Sequence, residues 1–162
     1  MLVLLLQKSP SDSEIRSESI LKKFCNILEA DKFCKTICYR ITQKLEDKKF
    51  IFEIVQNLNN LIITEKNMLR MRKKLQNKDE LEHKEFFMIL FNAFRYNPAA
   101  ATSLCLMSQE YELAYRILNS FGVEFEISHN ILIGFCKLAS MIESPGFLCT
   151  FVFYLVLRLQ IL

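Results

Sequence analysis

Residues 97–115, Asn-Pro-Ala-Ala-Ala-Thr-Ser-Leu-Cys-Leu-Met-Ser-Gln-Glu-Tyr-Glu-Leu-Ala-Tyr, read as a helix start followed by two short apolar helices. Pro98 suits a first helical position, where its missing N–H would have no partner in any case, and Asn97 stands where the cap belongs. Ala101, Leu104, Cys105 and Ser108 recur at helical spacing. Tyr111, Ala114, Tyr115 and Leu118 resume it beyond a break near Gln109. Small residues beside large ones predict helices packed closely on their neighbours. The stretch holds no group suited to bond-making chemistry.

The same periodicity extends in both directions. Ser9-Pro10-Ser11-Asp12 is a break, and Ser11 with Glu14 has capping-box spacing. The next helix is expected to place Ile20, Leu21, Phe24, Ile27 and Leu28 on one face. Asp31 is read as the cap of a second helix, with Phe33, Ile37, Ile41 and Leu45 one turn apart. Glu46-Asp47 opens a third through Phe50, Ile51, Ile54, Val55, Leu58 and Leu61. Asn67 to Leu75 reads as a short basic helix, and residues 76–80 as a connector. Phe86, Phe87, Leu90, Phe91 and Phe94 make another core face. Gly122 is placed where a helix C-terminus takes a left-handed residue. Ser128 or His129 starts a last helix through Ile131, Leu132, Phe135, Leu138 and Met141, ending before Pro145.

Composition supports an all-α chain. Among 162 residues, 51% are apolar while there are only three glycines, three prolines and no tryptophan, too few turn residues for an all-β protein. Helices with short connectors stack antiparallel, and pairs of them span about the length of a HEAT-type unit, roughly 40 residues. No internal repeat is evident, so a compact helical bundle is the alternative. The net charge of +3 does not mark a nucleic-acid binder. Two apolar segments, 1–6 and 147–157, are shorter than the ~20 residues a spanning helix requires; the first reads as the end of a preceding core helix and the second as a buried helix, with a transmembrane anchor as its alternative.

The functional inventory is dominated by absences. The six cysteines, Cys25, Cys34, Cys38, Cys105, Cys136 and Cys149, sit in apolar runs with no C-x-x-C, as core residues of a protein in a reducing compartment would. Cys34 and Cys38 share a helix face, but a zinc site needs two more ligands, so packing is the reading. His83, between Glu82 and Lys84, is expected to be solvated, and His129 to sit at a helix start. No phosphate loop, nucleophile elbow or metalloprotease motif occurs, so no catalytic, cofactor or metal site is assigned. One charge cluster stands out: Lys66, Arg70, Arg72, Lys73, Lys74 and Lys78. It is either a solvated face or a contact for an anionic membrane or acidic partner.

Beyond these features, Asn97-Pro98, Ser103-Leu104-Cys105-Leu106, Gln109, Tyr111 and Ala114-Tyr115 together resemble the C-terminal region of the Vac-fourteen proteins. Cys25 to Lys32, Val55 to Asn59 with Leu61 to Thr64, Leu69 to Leu75, and Lys137-Leu138 with Met141 to Pro145 continue the likeness in order. It runs from about Glu14 to Pro145. Phe94-Arg95-Tyr96 stand where that family has Trp-Cys-His. Residues 146–156 interrupt its ending, which only Leu157 to Leu162 resemble.

The resemblance implies a HEAT-like α-solenoid fragment that acts as a non-catalytic scaffold. It would dock a Sac-domain phosphoinositide phosphatase, help assemble a PIKfyve/Fab-type lipid kinase and self-associate. Its place would be the cytoplasmic face of endosomal, lysosomal or vacuolar membranes, with phosphatidylinositol 3,5-bisphosphate turnover as the output. Matching positions Asn97, Pro98, Ser103, Tyr111 and Tyr115 are the candidate protein contacts; Leu104, Cys105 and Ala114 read as core. The organisation expected is an end of a preceding helix and linker over 1–12, a scaffold domain over 13–145 and an apolar helix over 146–162. A fragment with uncovered apolar ends is expected to self-associate. The other functional class is a peripheral membrane-binding module working through the basic cluster.

Overall fold

The computed structural model describes residues 13–44, 47–77, 81–124 and 129–143, all of them helix, turn or short connector. Residues 1–12, Leu45, Lys78 and the 146–162 segment lie outside the described residues. The chain divides into two compact units, Met1–Phe125 and Glu126–Leu162. Seven α-helices of the first unit are α1 (Ser13–Ile27), α2 (Ala30–Lys44), α3 (Lys48–Thr64), α4 (Leu69–Gln76), α5 (Leu81–Phe94), α6 (Pro98–Met107) and α7 (Tyr111–Glu124). A 3₁₀ turn, Lys66–Met68, leads into α4. The second unit is described through α8, His129–Ile142, which starts at one of the two residues expected.

Local chemistry sets the boundaries. Asp47 caps α3 by accepting from the N–H groups of Lys49 at 3.0 Å and Phe50 at 3.1 Å. Asp31, read from the sequence as a cap, instead falls in the first turn of α2, which begins at Ala30. A carboxylate there still faces the helix's positive end. The basic helix expected over 67–75 is split, its start tightened into the 3₁₀ turn. Gly122 does not end a helix: α7 continues to Glu124, and no glycine among the described residues has positive φ.

Within the first unit the helices pack in two rows. Helices α1, α3 and α6 neighbour one another in that order, and α2 lies along α5. The short α4 wedges beside α3 and α5, while α7 folds back on α6. One continuous core results, running from Leu21, Cys34, Ile37 and Ile41 through Ile51, Val55, Leu58 and Ile62 to Leu75, Leu90, Phe94 and Leu104. Burying each such aliphatic side chain contributes about 1.5–3 kcal/mol. The expected faces of α2, α3 and α5 are buried at Phe33, Ile37, Ile41, Ile51, Ile54, Val55, Leu58, Leu61, Phe86, Phe87, Leu90 and Phe94 and half-buried at Phe50 and Phe91, with Leu45 outside the described residues. On α1 the expectation fails at its end: the buried face centres on Leu21 and Cys25, and Ile27, turned off that face by the helical period, is 78% exposed, with Leu28 49% exposed.

Candidate functional site

The segment that decides the fold is also the most enclosed. Asn97 is fully buried at the elbow between α5 and α6. Its Oδ1 accepts from the Ala100 N–H at 3.1 Å, and its Nδ2 donates to Gln56 Oε1 at 2.8 Å and to the Phe52 carbonyl at 3.5 Å. One side chain therefore caps α6 and ties it to α3. Pro98 occupies the first helical position, as its fixed φ and missing donor favour. From Ala99 to Met107 every residue of α6 is buried except the half-buried Leu106. A helix apolar on all sides is a central one.

The end of α6 is a Schellman turn. Gln109 takes φ 59°, the left-handed region. The Glu110 N–H donates to the Cys105 carbonyl at 2.8 Å and the Gln109 N–H to the Leu106 carbonyl at 3.2 Å. This fixes the reversal that lays α7 on α6, with Ala114 buried between them. Tyr111 is half-buried, whereas Tyr115 is 64% and Leu118 48% exposed. Glu112 and Arg116 pair across one turn beside them.

The candidate protein contacts thus separate. Tyr115 is presented on the outer face of α7, and Pro98 and Tyr111 are half-buried. Asn97 and Ser103 are enclosed by the chain's own helices, and Asn97 holds the elbow from within. Leu104, Cys105 and Ala114 are core, as expected.

The basic cluster separates in the same way. Arg72 is half-buried, its guanidinium donating to the carbonyls of Ile62, Ile63 and Glu65 at the end of α3; burial lowers its pKa. Lys74 faces Asp31 at 3.9 Å and lies 5.5 Å from the Phe86 ring centre. Lys66, Arg70 and Lys73 are exposed. Lys78 is outside the described residues. The cluster is therefore part helix-end chemistry and part surface.

The histidines and cysteines complete the survey. His83 is not solvated, as its charged neighbours in sequence had implied. It is buried, with Nε2 2.7 Å from the Leu75 carbonyl and its ring stacked on Phe87 at 6.4 Å. The helical period turns it inward, opposite Lys84 and Glu85. Burial pushes the thiols of Cys25, Cys38 and Cys105 up to about 12 and that of Cys34 well above its ordinary value. Glu65 adds to the effect at Cys25 and Glu110 at Cys105. These four are protonated core residues at neutral pH, without the thiolate that nucleophilic chemistry uses. No group of three or more His, Cys, Asp or Glu able to hold a metal occurs among the described residues.

Sequence reasoning missed the long-range polar ties. Gln56 and Asn67 are ordinary polar residues in sequence. Yet Gln56 anchors Asn97, and Asn67 Nδ2 donates to the Cys25 carbonyl at 3.0 Å and to Asn26 Oδ1 at 2.8 Å. Their partners lie some 40 residues away, beyond any local pattern.

The class defined by this geometry is an all-α protein whose polar groups close helix ends and join helices. The chain belongs to the family described as "Vacuolar protein 14 C-terminal Fig4p binding", whose model matches residues 11–162. It is similar to "Protein VAC14 homolog" of Schizosaccharomyces pombe, 34% identical over 133 residues that cover 82% of this chain and 16% of that protein. It is 29% identical to "Vacuole morphology and inheritance protein 14" of Saccharomyces cerevisiae over 90% of this chain and 16% of that protein. With "Protein VAC14 homolog" of Arabidopsis thaliana the identity is 28%, over 100% of this chain and 21% of that protein. The chain therefore spans about a sixth to a fifth of the length of these relatives. The family is defined by binding rather than catalysis, and none of these names describes an enzymatic activity. No solved structure matches.

Proposed function

We propose that this chain is a docking segment of a non-enzymatic scaffold that holds a Sac-type phosphoinositide phosphatase. The observation that carries the reading is the match of residues 11–162 to a family described by Fig4p binding. The outer face of α7 supports it, since Tyr115 and Leu118 form an exposed tyrosine–aliphatic pair one turn apart on a helix held rigidly by the Gln109 turn. Tyrosines on rigid elements make strong interface anchors because few rotatable bonds are frozen on binding. Asn97 and Pro98 set the start of α6, the helix on which α7 packs, Ser103 is enclosed within α6, and Tyr111 lies one turn before Tyr115.

A scaffold of this kind acts by effective concentration, converting encounters between bound enzymes into intramolecular ones. Assembly with a PIKfyve/Fab-type lipid kinase, self-association, a place on endolysosomal or vacuolar membranes and control of phosphatidylinositol 3,5-bisphosphate belong to the same proposal. The two-row helix packing is compatible with a place in a HEAT-like array.

The test is co-purification of the tagged full chain with a Sac-domain phosphatase. The wild type is expected to retain it, and Tyr115→Glu with Leu118→Glu to weaken retention at least tenfold without altering the helical circular-dichroism spectrum. A chain that folds but captures no phosphatase refutes the function. Undiminished capture by the double variant refutes α7 as the face.

A further inference from the structure

A second surface lies on the first unit, at the α1–α2 turn beside α4. Ile27 is 78% exposed, the most exposed large apolar residue described, and Leu28 follows it at 49%. The turn is held against the 3₁₀ entry to α4 by the two hydrogen bonds of Asn67, to the Cys25 carbonyl and to Asn26. Leu28 and Arg70 border one cleft between them. On α4 and its 3₁₀ entry, Lys66, Leu69, Arg70 and Lys73 recur at i, i+3, i+4 and i+7, and all are exposed. Lys23 lies one turn before Ile27, also exposed.

The charges there are unequal. Each described acidic side chain in the neighbourhood already faces a lysine: Glu65 with Lys22 at 2.6 Å, Glu29 with Lys32 at 2.8 Å and Asp31 with Lys74 at 3.9 Å. Lys23, Lys66, Arg70 and Lys73 have no acidic partner among the described residues. Two adjacent aliphatic residues are thus exposed at this turn, Leu28 at the edge of the cleft, with cations that lack an acidic partner among the described residues on the flanking helix faces.

We propose that this tip is a contact for an anionic lipid surface: Ile27 and Leu28 enter the headgroup–acyl boundary while Lys66, Arg70 and Lys73 meet the phosphates. Charge complementarity selects the occupant. Consecutive exposed aliphatics at a helix–helix turn suit a soft apolar layer that closes around them, and lysine and arginine stems extend along that boundary with their charges outward. An acidic protein groove would satisfy the cations and leave Ile27 in water. The contact is shallow, for no helix among the described residues is long and apolar enough to cross a membrane. It is independent of the phosphatase-binding face on α7.

The chain has no tryptophan, so Ile27→Trp creates a single reporter. The full chain carrying it is mixed with phosphatidylcholine vesicles, with or without phosphatidylserine. The expected result is a blue shift and quenching by brominated lipid with phosphatidylserine only, and no change for a Tyr115→Trp control. Each basic side chain at such a surface raises partitioning about fivefold, so Lys66→Glu, Arg70→Glu and Lys73→Glu together lower co-sedimentation on the order of 100-fold. In the otherwise native chain, Ile27→Ser with Leu28→Ser is expected to lower it at least tenfold, with circular dichroism unchanged. Absence of vesicle binding overturns the proposal. So does binding that is insensitive to Ile27→Ser with Leu28→Ser, or a larger shift with polyglutamate than with vesicles. None of these measurements involves the phosphatase, so their failure and that of the docking function are separate results.

Discussion

Replacing Asn97 by alanine removes three functions from one fully buried side chain. The cap on the Ala100 N–H at 3.1 Å is lost, at about 1 kcal/mol for a typical N-cap. The donor to Gln56 Oε1 at 2.8 Å is lost too, leaving a half-buried amide oxygen to find another partner, at about 1 kcal/mol. The small cavity left by the amide adds up to about 1 kcal/mol more. The expected destabilisation is about 2–3 kcal/mol, a shift of the melting midpoint by roughly 4–12 °C for a chain of this size. Asn97→Ser keeps a cap acceptor and loses the tie to α3, so it falls about midway. Urea unfolding followed by far-UV circular dichroism measures all three proteins. A double-mutant cycle with Gln56→Ala isolates the inter-helix bond, with a coupling of about 1 kcal/mol expected. A loss below about 0.5 kcal/mol for Asn97→Ala, or zero coupling to Gln56, would refute the assignment of Asn97 as the structural pin.

Gln109→Gly is expected to stabilise the chain by about 0.5–1 kcal/mol, since a left-handed φ costs any other residue, and Gln109→Val to destabilise it by a similar amount or more; urea midpoints decide. Arg72→Met removes the donors on three carbonyls at the end of α3 and costs about 1.5–3 kcal/mol, whereas Lys73→Ala changes stability by less than about 0.5 kcal/mol. The buried thiols of Cys25, Cys38 and Cys105, ordinarily at 9.0 and raised to about 12, give a pH prediction with a definite sign. Unfolding frees them to ionise, so their contribution is intact below pH 9 and declines as pH rises from 9 towards 12; a pH series of urea midpoints checks it. Iodoacetamide at neutral pH is expected to label Cys136, which is exposed, well before Cys25, Cys34, Cys38 and Cys105, as peptide mapping by mass would show.

Much of the fold was legible because its signals are local. Asp47 before an apolar run, Asn97-Pro98 at a helix start and the break at Gln109 each act within a few residues, and each stands where its chemistry put it. The faces of α2, α3 and α5 followed from period alone. What period could not supply was where a neighbouring helix lies. Ile27 and Leu28 fit the apolar pattern of α1 yet are exposed, while Leu21 and Cys25 take the buried face. His83 sits among charged residues in sequence, but the face it occupies turns inward against Leu75 and Phe87. Gly122 had the composition of a terminator without the backbone geometry of one.

The candidate surfaces were legible only as sets. Six basic residues read as one cluster, yet Arg72 became a helix-end cap because the α3 carbonyls happen to lie within its reach. Asn97 and Tyr115 carry the same resemblance in sequence but have opposite exposures, which only tertiary packing could separate.

The enclosure of α6 bears on how any binding defect in this region should be interpreted. A helix sealed on every side has almost no skin to offer a visitor, yet it is the shelf on which α7 rests. If α7 is the docking face proposed above, substitutions within α6 would displace that face and weaken capture as surely as replacing Tyr115. A scan scored by capture alone would thus draw the footprint one helix too deep, whereas pairing every loss with a melting curve would separate the shelf from what stands on it.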